Sequence, residues 1–365
     1  MKTKIVSFFI KNIYSSITRT TTNKYCPELD FLRFFALIPV IFYHLFTSLK
    51  RNSNFDLKAL GYEFYDQWGD LGVKIFYVLS SFILTSNINN LRIKKVFSYQ
   101  CYLRRRIWRI TPPYIICLSI LLAFHIFILN EYPNNLLFKS YCSSVFYIHN
   151  FVFSHWSYIL PVSHTLEIEM HLYLILPIFL TYWCKIHFFV KACVLVTIIY
   201  FSKYISLFAF YDLADYSCYF LWGVIISEHQ DFAKSQTFSL FSKFGFIICF
   251  FLLFVWNIGG ITRIATICSF VFLGLRLNIN INNVLINICT RIGVMCYSLY
   301  LVHYPILHLL TKYIFINLEG VNVILVGVIS IAIFMATIVL TIPFFVLIEK
   351  PFATTFINNQ DVRTR

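Results

Sequence analysis

Long apolar segments alternate with short polar ones along the chain from residue 28 to residue 347. About 20 apolar residues suffice for a helix to cross the hydrocarbon core of a membrane, and most of the segments reach or approach that length. Apolar and polar residues do not alternate with a period of two, which argues against a transmembrane barrel. The pattern predicts ten membrane-spanning helices, at 28–49, 69–90, 108–129, 164–184, 189–209, 215–229, 241–257, 260–279, 292–314 and 322–347.

The composition supports this interpretation, because 59% of the 365 residues are hydrophobic and only 13% are charged. The mean hydropathy of +0.73 exceeds what a soluble globular protein needs to fill its core. The eleven cysteines form no CxxC pair, and most fall within the predicted spans. They are expected to pack as small apolar residues, with no disulfide framework and no metal site.

The net charge of +14 indicates membrane topology and gives no reason to expect nucleic acid as a partner. Basic residues gather in alternate loops, above all at 92–109, whereas the opposite loops hold few. By the positive-inside rule, both termini are expected in the cytoplasm.

The predicted fold is an all-α polytopic membrane helix bundle, with a basic cytoplasmic tail at 1–27, a membrane domain at 28–352 and a cytoplasmic tail at 353–365. The longest outer segment, 130–163, is where a polar ligand is expected to approach.

The first predicted span carries two ionisable groups, Arg33 and His44. Eleven residues of helix place them within about 20° of one face and about 16 Å apart along the axis. Ionisable groups at membrane depth are costly, so the pair predicts function. The alternative is that Arg33 extends to the membrane surface and that His44 is a hydrogen-bonded histidine between helices.

A cluster of arginines precedes the third predicted span, with Arg105, Arg106 and Arg109 as its central members. Arg106 and Arg109 are three residues apart and so share a helix face. A planar, permanently charged guanidinium suits phosphate, which predicts a binding site for a phosphate-bearing cytosolic donor. The alternative is a positively charged anchor that only sets the topology.

The fourth predicted span opens with two carboxylates, Glu167 and Glu169, at a spacing that points them in different directions. Only one is expected to face the bundle interior, and Glu169 shares its face with Tyr173. His164, Glu167 and His171 also have a spacing that could bind a metal, although such spacings arise easily by chance.

The ninth predicted span contains an unusually polar run with Tyr297, Ser298 and His303, which we regard as supporting site residues. Near the end of the last span, Glu349 and Lys350 are expected to form an ion pair at the cytoplasmic boundary.

Six segments, in chain order, resemble the motifs of the acyltransferase 3 family of integral-membrane acyltransferases. They are ELDFLR at 28–33 followed by His44, GVKIFYVLSSF at 72–82, RIWRITPPY at 106–114, HTLEIEMHLY at 164–173, CYSLYLVHYP at 296–305 and EKP at 349–351. The resemblance covers residues 28–352. The chain departs from the family pattern at His164 and Thr165, where the family has Trp and Ser, and at Ser81, where it has Gly; neither departure removes a charged group.

The resemblance implies transfer of an acyl group, commonly acetyl, from acyl-CoA as co-substrate to a sugar hydroxyl. It implies catalytic roles for His44, Arg33 and Glu169, and donor binding by Arg106 and Arg109, to which we add Arg105. The implied acceptor is a cell-surface polysaccharide or lipid-linked glycan, for example O-antigen of lipopolysaccharide or capsule. The implied location is the bacterial inner membrane, with membrane lipid and a second copy of the chain as further partners.

The alternative function is a multispan transporter or flippase, which would also place charges inside helices. Such proteins usually show internal repeats and broken helices at matching positions, and the sequence has no evident repeat.

Overall fold

Helices are the only regular secondary structure among the described residues of the computed structural model. The structure describes residues 17, 26–52, 68–187, 190–191, 193–194, 197, 211–229, 237–255, 260–315 and 322–354. The twelve helices of these ranges are α1 (Pro27–Asn52), α2 (Trp68–Ile93), α3 (Tyr99–Phe124), α4 (Asn134–Val145), α5 (His149–Phe153), α6 (Ser163–Trp183), α7 (Tyr211–Glu228), α8 (Thr237–Phe254), α9 (Gly260–Gly274), α10 (Val284–Val294), α11 (Cys296–Phe315) and α12 (Val323–Phe344). The last turns of α3 and α12 continue as π-helix, at His125–Leu129 and Phe345–Glu349.

The described helices confirm an all-α membrane protein but account for fewer crossings than the sequence predicts. Four helical stretches are long and apolar enough to cross a membrane, and α10 with α11 would make a fifth. The four are Pro27–Asn52, Trp68–Ile93, Tyr99–Leu129 and Ile324–Thr354. The expected span at 189–209 and the two tails lie almost wholly outside the described residues.

Two expectations about helix boundaries are wrong. The predicted span at 292–314 is broken, because α10 and α11 meet at Met295 with a bend of 78°. The third span begins at Tyr99 rather than at 108, with Ser98 as its N-cap. The arginine cluster therefore lies inside α3 instead of in a preceding loop. The predicted outer loop at 130–163 also contains two short helices, α4 and α5.

The chain divides into two units. The terminal unit comprises Met1–Gly69 and Asn278–Arg365, and the central unit comprises Asp70–Leu277. Each unit has its own buried core and its own group of polar side chains.

In the terminal unit, α1 and α11 pack side by side in the same direction. His44 contacts the ring of His303, and further along both helices Asn52 donates a hydrogen bond to Thr311 at 2.9 Å. At the N-terminal end of α1, α10 approaches so closely that a Cβ on Gly293 would lie 1.8 Å from the carbonyl oxygen of Asp30. Glycine is needed at this crossing because any side chain would push the two backbones apart.

The outer helix of the terminal unit, α12, presents a row of exposed apolar side chains to its surroundings. The most exposed include Ile324, Val328, Ile331, Met335 and Val339. These residues recur every three or four positions, so they form one face of the helix. A face of this kind is suited to lipid, which agrees with the membrane assignment.

In the central unit, α2 and α6 also run in the same direction. Tyr77 donates to the carbonyl of Thr165 at 2.9 Å, and near the other end of α2 Arg92 donates to the carbonyl of Pro177 at 2.8 Å. These two bonds fix the register of α6. They place its first turns beside the middle of α2 rather than beside the start of that helix.

Candidate functional site

Near the start of α1, Arg33 and Asp30 form an ion pair. The Arg33 guanidinium donates to Asp30 Oδ1 at 2.6 Å, across one turn of the helix. The Asp30 side chain is 0% exposed and that of Arg33 is 13% exposed. A buried cation of this kind is stable only beside a carboxylate, so Asp30 provides the charge that holds Arg33 at its depth. Asp30 belongs to the ELDFLR segment, but its position in the sequence alone does not predict this role.

His44 lies about three turns after Arg33 on α1, half-buried among aromatic rings of α11. Its ring centroid is 5.1 Å from that of His303 and 5.3 Å from that of Tyr304. The expected shared helix of Arg33 and His44 is present, and the structure adds a second imidazole to the surroundings of His44. His303 is thus brought into direct ring contact with the residue that it was expected to support.

His303 is completely buried, with 0% of its surface exposed. Its Nδ1 lies 3.0 Å from the carbonyl oxygen of Leu299 and 2.7 Å from that of Tyr300. Carbonyl oxygens only accept hydrogen bonds, so Nδ1 carries the proton and Nε2 has the lone pair. Nε2 is buried and has no hydrogen-bond partner among the described residues.

Ser298, in the first turn of α11, is tied to Glu349 in the last turn of the π-helical segment. The backbone N–H of Ser298 donates to the Glu349 carboxylate at 2.9 Å, and its hydroxyl donates to the same oxygen at 2.5 Å. Glu349 is 2% exposed. It is therefore a buried acceptor at the start of α11, and the predicted ion pair with Lys350 stays a prediction. A carboxylate at a helix N-terminus is favourable. Here it stabilises the first turn of α11, which follows the bend at Met295. Tyr297, the neighbouring site residue, is half-buried.

The second polar group lies in the central unit around Glu169. The hydroxyl of Tyr173, one turn along α6, donates to Glu169 Oε1, and Ser80 donates to the same oxygen at 2.7 Å. The shared face of Glu169 and Tyr173 is as predicted. Ser80, in the GVKIFYVLSSF segment, thus holds the carboxylate.

Both hydrogen bonds to Glu169 fall on one oxygen. Among the described residues, Oε2 accepts none, and the side chain is half-buried. An ionised carboxylate can accept up to about four hydrogen bonds. Glu169 therefore keeps an oxygen that can accept a bond from a bound molecule.

Glu169 lies beside the middle of α2, although it is only six residues after the start of α6. Its partner Ser80 is at the middle of α2, twelve residues after Trp68 and thirteen before Ile93 (80 − 68 and 93 − 80). The reason is the register of α6, whose first turn is level with Tyr77. Sequence hydropathy gives the length of a helix but not how far it is displaced along its neighbours.

Arg106 faces the same group from α3. Its guanidinium carbon is 5.9 Å from the centroid of the Tyr173 ring, within the range of cation–π attraction. Its N–H groups make no hydrogen bond to the described residues. The sequence predicted Arg106 in a donor-binding site and Glu169 in a separate catalytic role. The structure brings both of them to Tyr173. Arg105 and Arg109, on the same helix, are half-buried.

Glu167 has a separate environment, as its spacing from Glu169 predicts. It is buried, and its two carboxylate oxygens each lie 3.2 Å from the backbone nitrogen of Asn150, which donates to them. Glu167 is the more buried of the two carboxylates, so burial by itself does not single out Glu169. Its role is to hold α5 against α6.

The metal alternative receives no support from the histidines it needs. His164 Nδ1 bonds the carbonyl of Pro161 at 3.0 Å, and His171 packs edge-on against the ring of Phe151. Within the described ranges, no three His, Cys, Asp or Glu side chains are grouped to hold a metal ion.

Buried ion pairs and imidazoles inside apolar helices define this chain as an integral membrane protein with polar sites in its helix bundles. Such groups are retained at membrane depth for chemistry or transport. The comparison with protein families decides between these classes. A family model described as "Acyltransferase domain" matches residues 27–350, and the chain belongs to this family.

The similar curated proteins include two O-acetyltransferases. One is the peptidoglycan O-acetyltransferase OatA of Listeria monocytogenes, 33% identical over 181 residues, which are 46% of this chain and 26% of that protein. The other is the O-acetyltransferase OatA of Staphylococcus aureus, 26% identical over 188 residues, which are 46% of this chain and 27% of that protein. The matched part is thus about a quarter of each relative. No solved structure is significantly similar to this chain.

Proposed function

We propose that this protein is a membrane O-acyltransferase that moves an acyl group, most simply acetyl, from cytosolic acyl-CoA to a sugar hydroxyl. The acceptor in this proposal is a cell-surface polysaccharide or lipid-linked glycan. The observation that carries the proposal is His44, a half-buried imidazole in ring contact with a second histidine inside a family of acyltransferases. Two relatives named as O-acetyltransferases support acetyl as the group transferred.

His44 is the central catalytic residue of the proposal. An imidazole with an ordinary pKa near neutrality can take the proton of a hydroxyl as that hydroxyl attacks a thioester. It can equally carry the acyl group for part of the cycle. Arg33 lies about three turns before His44 on α1. It supplies a fixed positive charge that is balanced by Asp30.

Arg106, with Arg105 and Arg109, binds the phosphates of the donor. The Arg106 guanidinium stacks near Tyr173 and has its N–H groups available to a ligand. Charge-assisted hydrogen bonds to phosphate contribute about 1.5–3 kcal/mol each, which suits a donor that carries several phosphates.

Glu169 binds the acceptor. Its Oε1 is held by Ser80 and Tyr173, and its Oε2 remains to accept a hydrogen bond from a sugar hydroxyl. Binding one hydroxyl in a fixed direction places its neighbour for attack, and positioning of this kind contributes much of the rate enhancement of enzymes. Peptidoglycan, named in one relative, is one acceptor to test, and O-antigen and capsule are others.

Inverted membrane vesicles that contain this protein provide the test. Acetyl-CoA labelled in the acetyl group is added to the cytosolic side, and covalent label is measured in the glycan fraction. We expect label with the wild type and a loss of at least about 100-fold with His44→Ala at equal membrane abundance. Residual transfer near the wild-type rate in His44→Ala would remove His44 from the mechanism. Movement of solute without covalent label would favour the transporter alternative.

A further inference from the structure

We propose that His303 is the proton acceptor for His44. During transfer, its Nε2 takes the N–H proton of the His44 ring, so that the two imidazoles act as a pair. The inference rests on the proposed acyl transfer and adds a residue to it. It is a positioning role, because His303 acts on the substrate only through His44.

The hydrogen bonds of His303 decide its tautomer. Nδ1 faces the carbonyl oxygens of Leu299 and Tyr300, at 3.0 and 2.7 Å, and these bonds keep the proton on Nδ1. Nε2 therefore presents a lone pair. This is the state in which an imidazole can receive a proton, and a histidine held by a carbonyl at one nitrogen is a common way to fix it.

The missing partner of Nε2 indicates a function. A buried polar atom without a hydrogen bond costs about 1–3 kcal/mol, so proteins seldom retain one without a use. His303 has 0% exposure, and its Nε2 is unpartnered among the described residues. The ring lies 5.1 Å from that of His44, centroid to centroid.

The difference in burial decides which of the two histidines contacts the substrate. Substrate can reach His44, which is half-buried, whereas it cannot reach His303, which is enclosed by α1 and α11. His44 therefore touches the reacting groups, and His303 stands behind it. This arrangement resembles the general pattern in which a third group supports the base of a catalytic site.

The proton balance of the step is complete. As the sugar oxygen bonds to the acyl carbon, the bond from that carbon to sulfur breaks and coenzyme A leaves as its thiolate. The hydroxyl proton passes to one nitrogen of His44 while the other nitrogen gives its proton to His303 Nε2. The proton then returns through His44 to the thiolate. The products are an ester and a thiol, and both imidazoles regain their starting state.

The variant His303→Asn separates this role from a structural one. The amide of asparagine can occupy the position of Nδ1 and donate to the same two carbonyls, but nothing replaces Nε2. The matched control is His308→Asn, a second histidine on α11 whose Nδ1 lies 3.4 Å from Asn52. Purified proteins in lipid vesicles are assayed with labelled acetyl-CoA and glycan, and their thermal unfolding is measured.

We expect His303→Asn to lower kcat by at least about 100-fold, the usual scale of a lost proton-transfer group. The KM for acetyl-CoA and the unfolding temperature should stay close to those of the wild type, and His308→Asn should retain its kcat. A His303→Asn enzyme that keeps a third or more of the wild-type kcat would overturn the inference while acyl transfer itself stands. A wild-type enzyme that gives no covalent label would overturn both.

Should His303→Asn fail to fold, the decisive measurement is chemical rescue of His303→Ala. That variant leaves a cavity beside His44 in which free imidazole can take the place of the lost ring. A rise in kcat of about tenfold or more with added imidazole would support the proton-accepting role. No rise in a variant that binds acetyl-CoA normally would contradict it.

Discussion

The two most buried histidines with described contacts, His303 in the terminal unit and His149 in the central unit, differ in how their nitrogens are used. His149 is 2% exposed, with Nε2 bonded to the Ser140 hydroxyl and Nδ1 to the carbonyl of His155, both at 3.0 Å. His303 is equally buried but has one nitrogen unpartnered among the described residues. Burial alone therefore does not identify a functional histidine. What distinguishes His303 from His149 is an unpartnered nitrogen on a ring that contacts His44.

The two carboxylates of α6 show the same contrast two residues apart. Glu167 uses both oxygens to accept from the backbone of Asn150, and it joins two helices. Glu169 accepts two hydrogen bonds on one oxygen and leaves the other for a ligand. If an unused hydrogen-bonding position marks the site, substitutions of His303 and Glu169 should lower activity. Substitutions of His149 and Glu167 should instead lower stability.

The largest expected effect is on turnover in Glu169→Gln. Glutamine keeps an oxygen that Ser80 and Tyr173 can bond, but it removes the negative charge beside Arg106 and weakens the second acceptor. We expect kcat to fall by about 100-fold or more, as for other lost acid–base or positioning groups. Transfer of labelled acetyl to glycan in membrane vesicles measures it.

Glu167→Gln is the matched control, because glutamine still accepts from the N–H of Asn150. Its turnover should remain within about threefold of the wild type, which is the scale of a minor change in one hydrogen bond. Greater sensitivity at Glu167 than at Glu169 would reverse the assignment of the two carboxylates.

A smaller effect is expected from replacing Arg106 and Arg109 together by lysine. Lysine keeps the charge and the membrane orientation but loses the planar fork that binds phosphate at two points. Affinity for coenzyme A should weaken by at least about tenfold, which corresponds to about 1.4 kcal/mol. Equilibrium binding of coenzyme A measures the change.

The control for the arginine pair is Arg92→Lys. Arg92 is already bonded to the carbonyl of Pro177 and stacks on Phe97 at 5.2 Å. It should therefore contribute to stability rather than to binding. Equal coenzyme A affinity in the double lysine variant and the wild type would mean that Arg106 and Arg109 serve topology only.

A stability effect without a loss of turnover is expected for His149→Leu. Ser140 and the carbonyl of His155 would lose their partner inside a buried network, at a cost of about 1–3 kcal/mol. Hydrogen exchange of residues 134–157 should increase, while kcat per folded molecule stays at the wild-type value. A large fall in kcat would place His149 in the site and break the contrast with His303.

The smallest effect is a pH dependence of the same segment. Burial lowers the pKa of His149, and its position outside the long apolar helices lets it respond to the solution. The unfolded state therefore binds more protons than the folded one, so stability is present above the ordinary pKa of about 6.5 and falls as the pH drops below it. The slope from one histidine is at most about 1.4 kcal/mol per pH unit.

Hydrogen exchange of residues 134–157 at pH 7.5 and pH 5.5 measures this dependence. Protection should decrease at the lower pH in the wild type. The decrease should be smaller in His149→Leu, which has no proton to bind. The same decrease in both proteins would assign it to other groups.

Local patterns determined a large part of what this protein is. The apolar segments gave helices over most of their predicted ranges, because backbone groups in lipid must be satisfied within the segment. The spacing of Glu169 and Tyr173 correctly predicted a shared helix face, and the order of six motifs identified the family. These features depend on residues close in sequence, which a single chain displays directly.

Tertiary structure decided which polar groups meet and which bonding positions remain empty. Tyr173 brings Arg106 near Glu169 because of the register between α3 and α6, and the break at Met295 turns α11 so that His303 contacts His44. Glu349 was recognised as part of a motif, but its burial and its bonds to Ser298 join residues 51 positions apart. Hydropathy shows how long each helix is. How far one helix is displaced along another depends on side-chain packing and on single hydrogen bonds between distant residues.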